Sequence, residues 1–191
     1  MIIGLTGGIA TGKSTVCKIL KDLNINVIDS DQIAHQVLNY EDVIDKVQKI
    51  FGNKVIDKDD KIDRKKLGKI VFEDSKKLKI LESITHPKIF EIIDQKLEET
   101  EDELVVLDAP LLFETSLDDK VDETWVVYAS KKTQINRLKE RDNLDKQEAL
   151  NRINAQMDLN KKVKKGDVVI NNEGTIQELE NKIKKIIEEK N

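Results

Sequence analysis

Short unbroken apolar runs alternate along the chain with longer stretches in which apolar residues recur every three or four positions. The runs "IIGLT" (2–6), "INVIDSD" (25–31), "LVVLDAP" (104–110), "TWVVYA" (124–129) and "DVVIN" (167–171) are of the buried-strand type. Helical spacing places Val16, Ile19, Leu20 and Leu23 on one face of 13–23, and Ile176, Leu179, Ile183 and Ile187 on one stripe of 175–190. Residues 32 to about 100 read as mostly helix, with Val43, Val47 and Ile50 on one face and Ile80, Leu81 and Ile84 on another. Further helices are predicted over 131–141 and 145–157. Pro87 is expected to open a helix rather than sit inside one. The pattern predicts an α/β fold, a parallel sheet with helices on both faces. Its largest helical insertion falls between the second and third strands, and a smaller helical pair falls between the fourth and fifth.

Composition narrows the partners. The chain has 191 residues and a formal net charge of −4, which argues against a large nucleic-acid interface but allows a small positive pocket. One cysteine, Cys17, excludes an intrachain disulfide, and two histidines, His35 and His86, make a multi-histidine metal site a poor expectation. The opening run lacks the basic region and apolar stretch of a secretory signal, so none is expected, and no run approaches the ~20 apolar residues that span a bilayer. The expectation is a cytoplasmic monomer with no membrane or nucleic-acid partner. Cys17, one turn into the first helix, is expected to be a small buried packing residue rather than a reactive thiol.

The first run gives out at "GLTGGIATGKST", where Gly7, Gly12, Lys13 and Ser14 fit the phosphate-loop pattern G-x-x-x-x-G-K-[ST]. Glycines let the backbone curl until successive N–H groups face one concave site, and the next helix points its partly positive end there. Lys13 adds a full charge for the β and γ phosphates, and the Ser14 hydroxyl can hold Mg²⁺. Chance would produce such a match in about one chain in a hundred of this length. The strand–loop–helix context separates it from chance.

Three further stretches address what is done with a nucleotide. Asp29 and Asp31 close the second strand, where ligands of open α/β sheets bind. Capping of the next helix accounts for one of them, not for both. Asp108 ends the apolar run of "VVLDAPLLFE", in the position of the acid that holds Mg²⁺ through water. In "RLKERD", Arg137 and Arg141 stand four apart on one helical face. They can grip phosphate oxygens, or they can form surface pairs with Glu140, Asp142 or Asp145, and spacing alone leaves both open. Spacing alone also makes His86 of "ITHPKIF" structural. A guanine-nucleotide switch is disfavoured, since "NKVI" (53–56) and "NKKV" (160–163) lack the Asp of a guanine-reading motif.

In order, "GLTGGIATGKST", "VIDSDQIAHQV", "ITHPKI", "DAPLLFE", "RLKERD", "INAQM" and "DVVINNEG" resemble the dephospho-coenzyme A kinases over essentially the whole chain. The resemblance implies a three-layer parallel sheet of the P-loop nucleotide-kinase type. Its nucleotide core would comprise 1–31, 101–130 and 161–191, with a substrate-binding insertion at 32–100 and a lid at 131–160. It implies ATP and dephospho-CoA as substrates, Mg²⁺ as cofactor, and transfer of the γ-phosphoryl group to a ribose 3′-hydroxyl. Asp31 would be the catalytic base, acting with Lys13 and Arg141. ATP contacts would come from Gly7, Gly8, Ala10, Thr11, Gly12, Lys13, Ser14, Thr15, Arg137, Arg141 and Asn172. Substrate contacts would come from Thr6, Asp29, Asp31, His86 and Leu111, and metal contacts from Ser14 and Asp108. Another small-molecule P-loop kinase, acting on a nucleoside or nucleotide, is the alternative. The loop departs from the family's usual G-I-G-S-G-K-S at Ala10 and Thr11, and Ala10 is expected at negative φ. Asn171 stands where the family often has Asp, so no charged role is expected of it.

Overall fold

The computed structural model describes residues 1–190. In chain order the elements are β1 (Ile2–Gly7), α1 (Lys13–Asp22), β2 (Asn26–Asp29), α2 (Ser30–Val37), α3 (Glu41–Phe51), α4 (Arg64–Phe72), α5 (Ser75–Glu98) and β3 (Val105–Asp108). There follow β4 (Glu123–Tyr128), α6 (Lys131–Asp142), α7 (Lys146–Asn154), α8 (Leu159–Lys165), β5 (Val168–Asn171) and α9 (Ile176–Glu188). Short 3₁₀ turns lie at Asn53–Val55 and Leu117–Lys120. Two compact units result: Met1–Ile28 with the chain from Glu101 onward, and Asp29–Thr100.

The first unit holds a sheet of order β2-β3-β1-β4-β5. β1 lies at its centre, parallel to β3 and to β4, and β4 is parallel to β5. Alternation along β1 divides its side chains between two layers. Ile3 and Leu5 enter a core with Val16, Leu20, Trp125 and Ile183, supplied by α1, β4 and α9. Gly4 faces the other way, and a Cβ there would come within 2.9 Å of the Leu112 side chain. On α9, Leu179 and Ile183 are buried as the stripe predicts, but Ile176, in the first turn, is 70% exposed.

The second unit packs the 24-residue α5 against α2, α3 and α4. Pro87 lies inside α5, not at its start. Proline cannot donate to the carbonyl four residues back, yet Thr85, Ile89, Ile92 and Ile93 are buried along the helix and hold it continuous. On α3 the buried face is Val43, Val47 and Phe51, so Phe51 takes the place expected for Ile50, which is exposed. Ile80 is likewise exposed.

Side-chain caps explain where most helices begin. An Asp, Ser or Thr accepts from first-turn amides at α2, α4, α5, α6, α7, α8 and α9. Asp29 is one of these, accepting from the Gln32 amide at 3.0 Å. α1 has no such cap, and its start is the glycine loop.

Candidate active site

The loop between β1 and α1 is bent by two left-handed residues, Ala10 at φ +59° and Gly12 at φ +94°. Ala10 therefore departs from the negative φ expected of it, because the turn needs a left-handed residue there. The smallest side chain with a Cβ accepts that at about 1 kcal/mol. At Gly12 the positive φ disfavours any side chain, and a Cβ would lie 2.1 Å from the Asn172 amide nitrogen, so that side chain would have to move.

The outer side of this loop is held by side chains. Gln134 donates to the Ile9 carbonyl at 2.7 Å, and Asn172 to the Thr11 carbonyl at 2.8 Å. The Arg137 guanidinium donates to the Ala10 and Thr11 carbonyls at 3.3 and 3.2 Å, and to the Asn172 carbonyl at 2.8 Å. The Gly8 carbonyl accepts from the Thr11 amide and hydroxyl. A trans peptide sets each C=O antiparallel to the next N–H. Turning the Ile9 and Thr11 carbonyls outward thus turns the Ala10 and Gly12 amides to the concave side. The Lys13 and Ser14 amides open α1 and have no carbonyl partner within it. The result is a cradle of backbone donors at a helix N-terminus, an anion site.

Lys13 forms an ion pair with Asp108 at the end of β3, bringing the loop cation and the strand-end acid together as the sequence suggests. Asp108 is only 8% exposed. Next to it Cys17 is buried, and its thiol is pushed up to about 12 by burial first and by the Asp108 charge second, so it is not a nucleophile. Thr6 is buried, with its hydroxyl donating to the Pro110 carbonyl at 3.1 Å, while Leu111 is exposed on the same turn. Lys162 reaches that carbonyl too, at 2.6 Å, and pairs with Glu114 at 2.9 Å. Burial lowers the Lys162 pKa and Glu114 opposes the shift.

The arginines separate. Arg137 turns inward to the loop, whereas Arg141 grips Asp142 through two bonds of 2.8 and 2.9 Å, and Arg152 shares that carboxylate at 2.7 Å. In the second unit, Asp31 is exposed in the first turn of α2, beside the capping Asp29, and His86 stacks near Phe90 with ring centres 5.6 Å apart. Gln134, Gln156, Lys162 and Glu114 are not singled out from the sequence, although Gln156 lies in "INAQM" and Glu114 ends "DAPLLFE", two of the stretches that carry the resemblance. Gln134 stands one helical turn before Arg137.

A family model described as dephospho-CoA kinase matches residues 1–178. A dephospho-CoA kinase from Carboxydothermus hydrogenoformans is 47% identical, the match covering 98% of this chain and 93% of that one. One from Lactobacillus acidophilus is 45% identical over 97% and 95% of the two chains. The chain belongs to the dephospho-CoA kinase family. A solved dephospho-CoA kinase from Campylobacter jejuni has a TM-score of 0.77 and 34% identity, covering 98% of this chain and 96% of that chain. Membership makes the chain a nucleotide-binding transferase of the kinase class in coenzyme A biosynthesis. The dephospho-CoA kinase family resemblance drawn from the seven short stretches is thereby established over nearly the full length.

Proposed function

We propose that the chain transfers the γ-phosphoryl group of ATP to the 3′-hydroxyl of the ribose of dephospho-CoA, giving CoA and ADP. The observation that carries this reading is the outward pinning of the loop carbonyls beside the Lys13–Asp108 pair. It leaves backbone donors and an ammonium group for a triphosphate. When the nucleotide binds, Lys13 exchanges the carboxylate for phosphate oxygens, which would leave Asp108 free to help hold Mg²⁺. Mg²⁺ is held by few protein ligands and keeps several waters. The Ser14 hydroxyl and the Asp108 carboxylate, both hard oxygen donors, fit it. The ion would neutralise charge on the β and γ phosphates. Asp31 orients the acceptor hydroxyl and takes its proton. Arg141 leaves Asp142 for the transferring phosphoryl group, where a bidentate guanidinium neutralises developing charge. Asp29, His86 and Leu111 stand as substrate contacts, and the fully buried Thr6 instead supports the turn that carries Leu111 through its bond to the Pro110 carbonyl.

A coupled ADP-release assay with ATP and Mg²⁺ tests the acceptor. Dephospho-CoA is expected to support turnover far above adenosine or nucleoside monophosphates. Equal rates with adenosine or a nucleoside monophosphate would overturn the assignment in favour of a less selective P-loop kinase.

A further inference from the structure

Ile9 is bracketed on both sides of its backbone. Its N–H donates to the Gln156 side-chain oxygen at 2.9 Å, and its C=O accepts from the Gln134 side-chain nitrogen at 2.7 Å. Gln134 comes from α6 and is 3% exposed, and Gln156 follows α7. The next residue, Ala10, is a non-glycine held at φ +59°. That conformation is costly for an L-residue, and a chain left alone would rotate the Ile9–Ala10 peptide back to negative φ. Such a rotation would swing the Ala10 amide out of the concave side. The same amide is aimed inward only while the Ile9 carbonyl is aimed at Gln134.

We infer that Gln134 and Gln156 are positioning residues for nucleotide binding, holding Ala10 in its left-handed conformation so that its amide faces the phosphates. This inference rests on the loop being the nucleotide site, as proposed above. Gly8 supports it from the packing side, because a Cβ there would lie 2.8 Å from the Gln134 nitrogen that makes the bond. A glycine at that position leaves Gln134 its close approach to the backbone. The bracket also ties the loop to 131–156, the first part of the segment expected to form the lid. Glycine in place of Ala10 would need no such restraint, since it enters the left-handed region freely.

That difference supplies the test. ATP affinity is measured by titration calorimetry for Gln134→Met in two backgrounds, the natural chain and Ala10→Gly. In the natural chain, loss of the buried bond is expected to weaken ATP binding about tenfold. In the Ala10→Gly background, the same replacement is expected to cost less than about threefold, because the conformation no longer needs support. A general packing defect would cost the same in both backgrounds, and equal losses would overturn the inference. If Gln134→Met does not fold, Gln156→Ala in the same two backgrounds gives the same comparison, and equal losses there overturn it too. Failure of the natural chain to bind ATP would instead refute the nucleotide-site reading, so the two failures are distinguishable.

Discussion

At the residue scale the chemistry of the site depends on how each charge is balanced. Lys13 and Asp108 neutralise one another at the mouth of the loop, so neither leaves an isolated buried charge when no nucleotide is present. Lys13→Ala removes the phosphate clamp and is expected to lower turnover by at least about 100-fold, read in the ADP-release assay. Asp31→Asn separates binding from chemistry. Turnover is expected to fall sharply while ATP affinity by calorimetry stays within about threefold, because that carboxylate acts on the acceptor. Loss of ATP binding in Asp31→Asn would count against its role. Arg141 is legible in the sequence only as one of two possibilities. The chain has acids beside it at every turn, and which one it grips depends on rotamers that spacing does not specify.

At the element scale, local rules place most helix starts, and tertiary packing overrides them at α5. The caps of α7 and α9 are reciprocal boxes, Asp145 with Glu148 and Thr175 with Glu178, and both are readable as three-residue spacings. Pro87 reads locally as a helix start and is found in the interior, because burial of Ile89, Ile92 and Ile93 outweighs one missing backbone bond. Pro87→Ala restores that donor. The expected result is a gain of roughly 1–3 kcal/mol in urea unfolding, reduced from the full interior penalty by the greater freedom of the unfolded chain. α8 escapes the hydrophobic pattern, since the polar run Leu159–Lys165 has a single turn's worth of apolar signal. It forms because Asp158 caps it and Lys162 is drawn inside.

At the scale of the whole molecule, long-range polar bonds join segments that the sequence keeps apart. Lys162 and Glu114 are 48 residues apart and meet over the turn after β3. Removing one partner strands a buried charge, so Glu114→Gln is expected to destabilise by roughly 2 kcal/mol, discounted because the carboxylate is partly open to water. Adding Lys162→Met to it should recover part of the loss in urea unfolding. Acid stability follows from carboxylates with lowered pKa. Asp167 is held low by the Thr124 hydroxyl and amide, and Asp142 by Arg141 first and then Arg152. Their folded values lie below the ordinary 3.8, so the stabilisation is present above that pH and is lost as pH falls through the lower folded values. The urea midpoint is expected to drop on acidification below about pH 4, and Asp167→Asn should make that drop shallower.

The sequence by itself determined the strand–loop–helix, its lysine, the strand-end acids and the order of the five strands. Each of these is written in neighbouring residues through hydrophobic period, glycine freedom and capping chemistry. Tertiary structure alone decided that Ala10 turns left-handed, that Arg137, Gln134 and Asn172 face the back of the loop, and that Lys162 is buried. Those outcomes are hydrogen bonds between residues more than thirty positions apart. No local period or propensity encodes such a bond, because the fold and not the neighbouring positions brings its partners together.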